Sequence, residues 1–123
     1  MILYLASDLL WATRIKATAE DLGLPARPVR TLDMLKARLA DSPVKALICD
    51  LESPELSLEL IRHVKAPAEG EKPAAVRVLC FGPHVAKETL QAARDAGADE
   101  VLTRGAFDHH LPEVLMTLAG RSA

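Results

Sequence analysis

A chain of 123 residues, 50% hydrophobic and 26% charged, has enough apolar material for one packed domain and is not a disordered polymer. Its formal net charge of −2, with both signs interspersed, argues against a nucleic-acid footprint, which needs a basic face or stripe. No apolar run approaches the roughly 18 residues of a membrane span, so neither nucleic acid nor membrane is an expected partner.

The pattern along the chain alternates short apolar runs with longer helical periodicities, the mark of repeated β-α units around a parallel sheet. Residues 2–6 (ILYLA) read as a first, buried strand rather than a targeting leader, since the apolar start has no basic residue before it and Asp8 interrupts it. Ser7 or Asp8 can cap the following helix, whose apolar positions Ala12, Ile15, Ala19 and Leu22 follow helical spacing up to Gly23. The stretch around Val29 is a weak second strand, and Pro25 and Pro28 suit it to a sheet edge. Thr31 caps a second helix through Leu32, Leu35 and Leu39, ended by Asp41-Ser42-Pro43.

Residues 44–49 (VKALIC) predict a central strand stopping at Asp50, and the loop LESPE then leads into a helix with Leu60, Ile61 and Val64 inside. Residues 66–75, rich in Pro, Gly and charge, read as a surface loop. A fourth strand over 76–81 meets Gly82-Pro83, and a helix from about Val85 to Ala96 is stopped by Gly97. A short fifth strand is expected at 99–103, then a last helix starting near Asp108 that buries Leu111, Val114, Leu115 and Leu118, with Pro112 in its first turn. The whole chain, 1–123, reads as a single α/β domain: a doubly wound, flavodoxin-like sheet of five parallel strands.

The core of such a domain must be aliphatic, because Trp11, Tyr4, Phe81 and Phe107 are its only aromatic residues. Cys49 and Cys80 each sit inside an apolar run and read as core thiols of a cytoplasmic protein, with no zinc or C-x-x-C spacing.

Chemistry in doubly wound sheets gathers beyond the carboxyl ends of the strands. Here that edge carries Ala6-Ser7-Asp8, Asp50-Leu51-Glu52, Gly82-Pro83-His84 and Thr103-Arg104-Gly105. His84 beside Cys80 or Asp50 does not assemble a converging ligand set, and no nucleophile–base pair or opposed acids stand out, so neither a metal centre nor an enzyme is expected. The turn ASDLLWAT has no glycine and makes a poor phosphate cradle, which weighs against a nucleotide or flavin module with a bound cofactor.

Two segments, ALICDLESPELSLELIRHVK and LQAARDAGADEVLTRGAFDHHLPEVL, resemble the receiver domain of bacterial response regulators. The resemblance implies a receiver-like (βα)5 fold and places Asp50 at the phosphoacceptor position. It also shows where the switch machinery is missing. The Mg²⁺-holding acid pair of the family falls on Ala6 and Ser7, its Thr or Ser on Gly82, its Lys on Arg104, the following proline on Gly105, and its switch aromatic on Val101. Ser7-Asp8 is read as a capping pair, Glu52 and His84 as residues of the active edge, and Arg104 as the ion-pair partner of Asp50. The function implied is a stand-alone, pseudo-receiver-like signalling module. It would bind a kinase, regulator or effector, or self-associate through residues 86–119. The alternatives are a working Asp50 phosphoacceptor and a flavodoxin-like domain that binds a small molecule such as a nucleotide or flavin.

Overall fold

In the computed structural model, which describes residues 1–66 and 75–121, five β-α units follow one another along the chain. They are β1 (Ile2–Leu5), α1 (Leu9–Asp21), β2 (Ala26–Pro28), α2 (Leu32–Asp41), β3 (Ala46–Asp50), α3 (Pro54–Lys65), β4 (Arg77–Gly82), α4 (Lys87–Ala96) and β5 (Glu100–Thr103), completed by α5 (Arg104–His109) and α6 (Leu111–Leu118). The strands form one sheet in the order β2-β1-β3-β4-β5, every neighbouring pair parallel. Most of the expected 66–75 loop lies outside the described residues.

Strand side chains alternate between the two faces of the sheet, and here both faces are apolar, as a parallel sheet covered by helices requires. Leu3, Leu5, Leu47, Cys49, Val78 and Cys80 point to one side, where Leu35 of α2, Leu60, Ile61 and Val64 of α3, and Leu90 and Ala93 of α4 meet them. Ile2, Tyr4, Ala46, Ile48, Leu79 and Phe81 point to the other, under Ile15 and Ala19 of α1, Phe107 of α5, and Leu111 and Leu115 of α6. Each fully buried Leu, Ile or Phe contributes about 1.5–3 kcal/mol. All four aromatic rings lie in the second layer. Phe81 and Phe107 stack with centroids 4.1 Å apart, and the half-buried Trp11 tilts over them at 5.0 and 5.7 Å.

Local chemistry sets the helix ends. Asp8 accepts the Leu10 N–H at 2.8 Å to start α1, and Thr31 accepts the Met34 N–H at 3.1 Å to start α2. α4 ends at Gly97 with φ 112°, where a Cβ would stand 3.0 Å from the Lys65 Cβ, so both backbone angle and space call for glycine.

The end of the chain departs from the sequence expectation. Instead of one helix starting near Asp108, α5 begins directly after β5, because Thr103 accepts the Ala106 N–H at 3.2 Å and caps it. The helix then breaks at His110, since Pro112 lacks an N–H for the Asp108 carbonyl and its ring would crowd that oxygen. Pro112 instead occupies the first turn of α6. Helix α4 begins at Lys87, two residues later than expected, and leaves Val85 outside it and 74% exposed.

Candidate functional site

The strand order reverses direction between β1 and β3, and the crevice beyond their carboxyl ends is where sheets of this kind bind ligands or carry out chemistry. Asp50 ends β3 at this crevice and is fully buried. Its Oδ1 accepts the Glu52 N–H at 3.0 Å, a side-chain turn that bends the chain out of the strand. Oδ2 is buried with no hydrogen-bond partner. Burial, the largest influence, raises the Asp50 carboxyl above the ordinary carboxylate range. The Glu52 N–H and Arg104 act downward and the charges of Glu52 and Asp8 upward, and the net displacement is upward.

Ser57, which the sequence reading passed over, anchors the strand end. It is fully buried and donates its hydroxyl hydrogen to the Asp50 carbonyl at 2.7 Å. The signal was available, because positions 57, 60, 61 and 64 form one helical stripe and all four are buried. A serine on an otherwise apolar stripe needs a buried acceptor, and the carbonyl of Asp50 supplies it.

Around Asp50 the other expected residues have different partners. Ser7 shares a 2.7 Å hydrogen bond with Ser53, tying the loop after β1 to the start of α3. Of the Ser7-Asp8 pair, Asp8 alone caps α1. Arg104, first residue of α5, pairs with Glu52 rather than with Asp50. Its Nη2 lies 3.5 Å from Glu52 Oε2, and its Nε is buried without a partner. The reason is solvation: the Asp50 carboxyl is sealed in the sheet end, whereas Glu52 is half-exposed and lets the guanidinium keep contact with water. His84 is exposed at the end of β4 and makes no side-chain hydrogen bond among the described residues.

Gly82 closes the crevice from the β4 side. A Cβ added there would lie 3.2 Å from Leu51 Cβ, 3.5 Å from Leu90 Cδ2 and 3.6 Å from Leu51 Cδ1, so its three nearest neighbours would all be leucine atoms. The place of a hydroxyl side chain is taken by apolar packing. Val101 on β5 is half-buried against the α2–α3–α4 layer.

A divalent cation of the receiver type needs several oxygen ligands including carboxylates. The Asp8 carboxylate is engaged as a helix cap, that of Glu52 faces Arg104, Ser7 bonds Ser53, and position 6 is alanine. Among the described residues no three His, Cys, Asp or Glu gather to hold a metal. The donor set around Asp50 does not fit such a cation.

A doubly wound (βα)5 domain with a lone buried aspartate at its switch point defines the class. Solved structures narrow it. The chain is similar to a response regulator signal receiver domain from Bermanella marisrubri, at 20% identity and TM-score 0.75 over 95% of both chains. It is likewise similar to a response regulator receiver protein from Burkholderia phymatum, at 21% identity and TM-score 0.75 over 99% of this chain and 96% of the other. A third likeness is to the receiver domain of a sensor histidine kinase from Pseudomonas aeruginosa, solved with magnesium coordinated in its active site cleft, at 17% identity and TM-score 0.74 over 97% and 96%. No protein-family model and no curated protein sequence matches the chain. The fold is therefore that of a response regulator receiver domain.

Proposed function

We propose that this chain is a receiver-fold signalling module that acts by binding another protein, and that it does so without Mg²⁺-dependent phosphorylation of Asp50. It is read as a binding module and not an enzyme. The observation that supports this most directly is the state of the crevice: a buried carboxylate with one unpartnered oxygen and no second carboxylate free to share a cation. A phosphoryl group would add about −1.5 to −2 charges there, with Arg104 the nearest counter-charge and that already facing Glu52. Gly82 offers no hydroxyl to meet the phosphoryl oxygens, and Val101 no ring to move.

Partners are read as a kinase, a regulator or an effector, or a second copy of the chain meeting the surface around residues 86–119. Edge strand β5 supports that surface with Val101 and Leu102 only partly buried. A cytoplasmic setting agrees with two buried free thiols. Among the described residues no helix is long and apolar enough to cross a membrane.

The test is incubation with Mg²⁺ and acetyl phosphate, followed by intact-mass measurement, and with Mg²⁺ and beryllofluoride, followed by amide chemical-shift mapping. No mass change and no shifts around Asp50 are expected. A mass increase of one phosphoryl group that disappears in Asp50→Asn would overturn the proposal.

A further inference from the structure

The sheet edge opposite β5 carries a second feature that the Asp50 crevice does not account for. Between α1 and β2 lies a groove of about 430 Å³, within the size range of functional pockets. One wall is a single helical face: Leu9, Ala12, Thr13 and Lys16 recur at i, i+3, i+4 and i+7 and all line it. Tyr4 from β1 also lines it, with a ring almost fully buried and a hydroxyl that makes no hydrogen bond among the described residues. The opposite wall is β2 and the residues after it, which contribute Arg27 and Arg30.

Two properties of this groove point to a ligand. The first is charge. Lys16, Arg27 and Arg30 line it and no carboxylate does, on a chain whose net charge is −2. Glu20 stands 4.0 Å from Lys16 one turn along α1, and among the described residues neither Arg27 nor Arg30 has a salt bridge. The second is Leu9, 79% exposed at the mouth of the groove. A leucine this exposed in a groove that three cations also line makes a mixed surface, partly apolar and partly basic.

We infer that the α1–β2 groove docks an acidic segment of a partner protein, seating an apolar side chain against Leu9 and Ala12 while its carboxylates meet Lys16, Arg27 and Arg30. The segment does not simply extend the sheet. The Pro25 carbonyl and the Val29 N–H both bond to β1, so by alternation Ala26 and Pro28 face outward, and Pro28 has no N–H to give an added strand. Side chains rather than a backbone ladder therefore carry the recognition. The inference rests on the reading of the chain as a protein-binding module and is independent of the chemistry of Asp50.

A fluorescein-labelled acidic peptide with one central leucine, EDELDED, is the probe, titrated by fluorescence anisotropy into the full chain and mapped on its amide spectrum. Saturable binding is expected, with shifts centred on Leu9, Thr13, Lys16, Arg27 and Arg30. The double reversal Arg27→Glu with Arg30→Glu should weaken it roughly tenfold or more, as loss of two exposed ion pairs and gain of like-charge contacts imply. Leu9→Ser, and a peptide with serine for its leucine, should each weaken it several-fold. All the altered residues are exposed or at the groove rim, and circular dichroism checks that each variant folds. Shifts centred elsewhere, affinity unchanged by the double reversal, or a double-stranded DNA oligonucleotide that binds this groove more tightly than the peptide would each overturn the inference. None of these results bears on phosphoryl uptake by Asp50, so the two readings fail separately.

Discussion

Replacing Asp50 by Asn should stabilise the protein at neutral pH, against the usual expectation for a buried polar residue. The buried carboxyl keeps one hydrogen bond, from the Glu52 N–H, and leaves Oδ2 without a partner. An unsatisfied buried acceptor costs about 1–3 kcal/mol, and more when charged. Asparagine retains the Oδ1 acceptor and removes the charge, but its amide group also lacks a partner, so part of the cost stays. The net gain expected at pH 7 is about 1–2 kcal/mol, or roughly 3–5 °C in Tm per kcal/mol for a chain of this length. The pH dependence follows from the direction of the shift. Because the folded carboxyl titrates above its unfolded value of about 3.9, its contribution to stability is fully present below that value and is lost as pH rises through the folded one. Urea unfolding of both proteins should show Asp50→Asn ahead at pH 7 and the gap closing near pH 3.5. A variant less stable at pH 7, or a gap that does not change with pH, would refute the account of Asp50 as an uncompensated carboxylate.

Other expectations follow from single contacts. Asp99 shows the opposite slope: burial pushes its carboxyl up, but the Lys65 ammonium and the Val78 N–H, each 2.7 Å away, outweigh it and hold the carboxyl below the ordinary range. Its stabilisation is present above about pH 3.9 and lost as pH falls through the folded value, so Asp99→Asn should cost about 1 kcal/mol at pH 7 after solvent screening, and progressively less as pH falls below about 3.9 in the same urea assay. Gly82→Thr, which restores a hydroxyl residue, should cost about 1–3 kcal/mol by crowding Leu51 and Leu90, and Gly82→Ala less; equal stability in denaturant melts would contradict the packing described. Ser57→Ala should cost about 1 kcal/mol by removing its bond to the Asp50 carbonyl, again read from urea melts.

Much of the architecture was legible because each signal had one physical meaning. Asp8 and Thr31 stood before apolar periodicities and cap helices there. The runs ILYL and ALIC, apolar on both alternating sets, required a sheet covered on both faces, and both lie inside it. The short α5 was not legible, since six residues burying only Phe107 have no periodicity to detect and Gly105 disguises the helix further. Asp50 was legible as the acid at the strand end. The partner of Arg104 was not, because either Asp50 or Glu52 satisfies the sequence, and the choice depends on which carboxyl the fold leaves in water. Gly82 was read as a missing hydroxyl; that Leu51 and Leu90 pack where its side chain would be depends on contacts between three separate elements.

The two thiols offer an independent view of how this domain opens. Cys49 and Cys80 face each other in register on adjacent central strands, both with no exposed surface. The Cys80 thiol beside it, then burial, then the Cys80 and Asp50 charges all push the Cys49 thiol well above its ordinary value, so in the closed domain it stays a protonated, unreactive core group. A thiol reagent can reach the pair only when the α2–α3–α4 layer lifts from the sheet. The labelling rate, compared with that of the unfolded chain, therefore times the lifting of this helix layer from the central strands, at a point where amide exchange and denaturant melts can be checked against it.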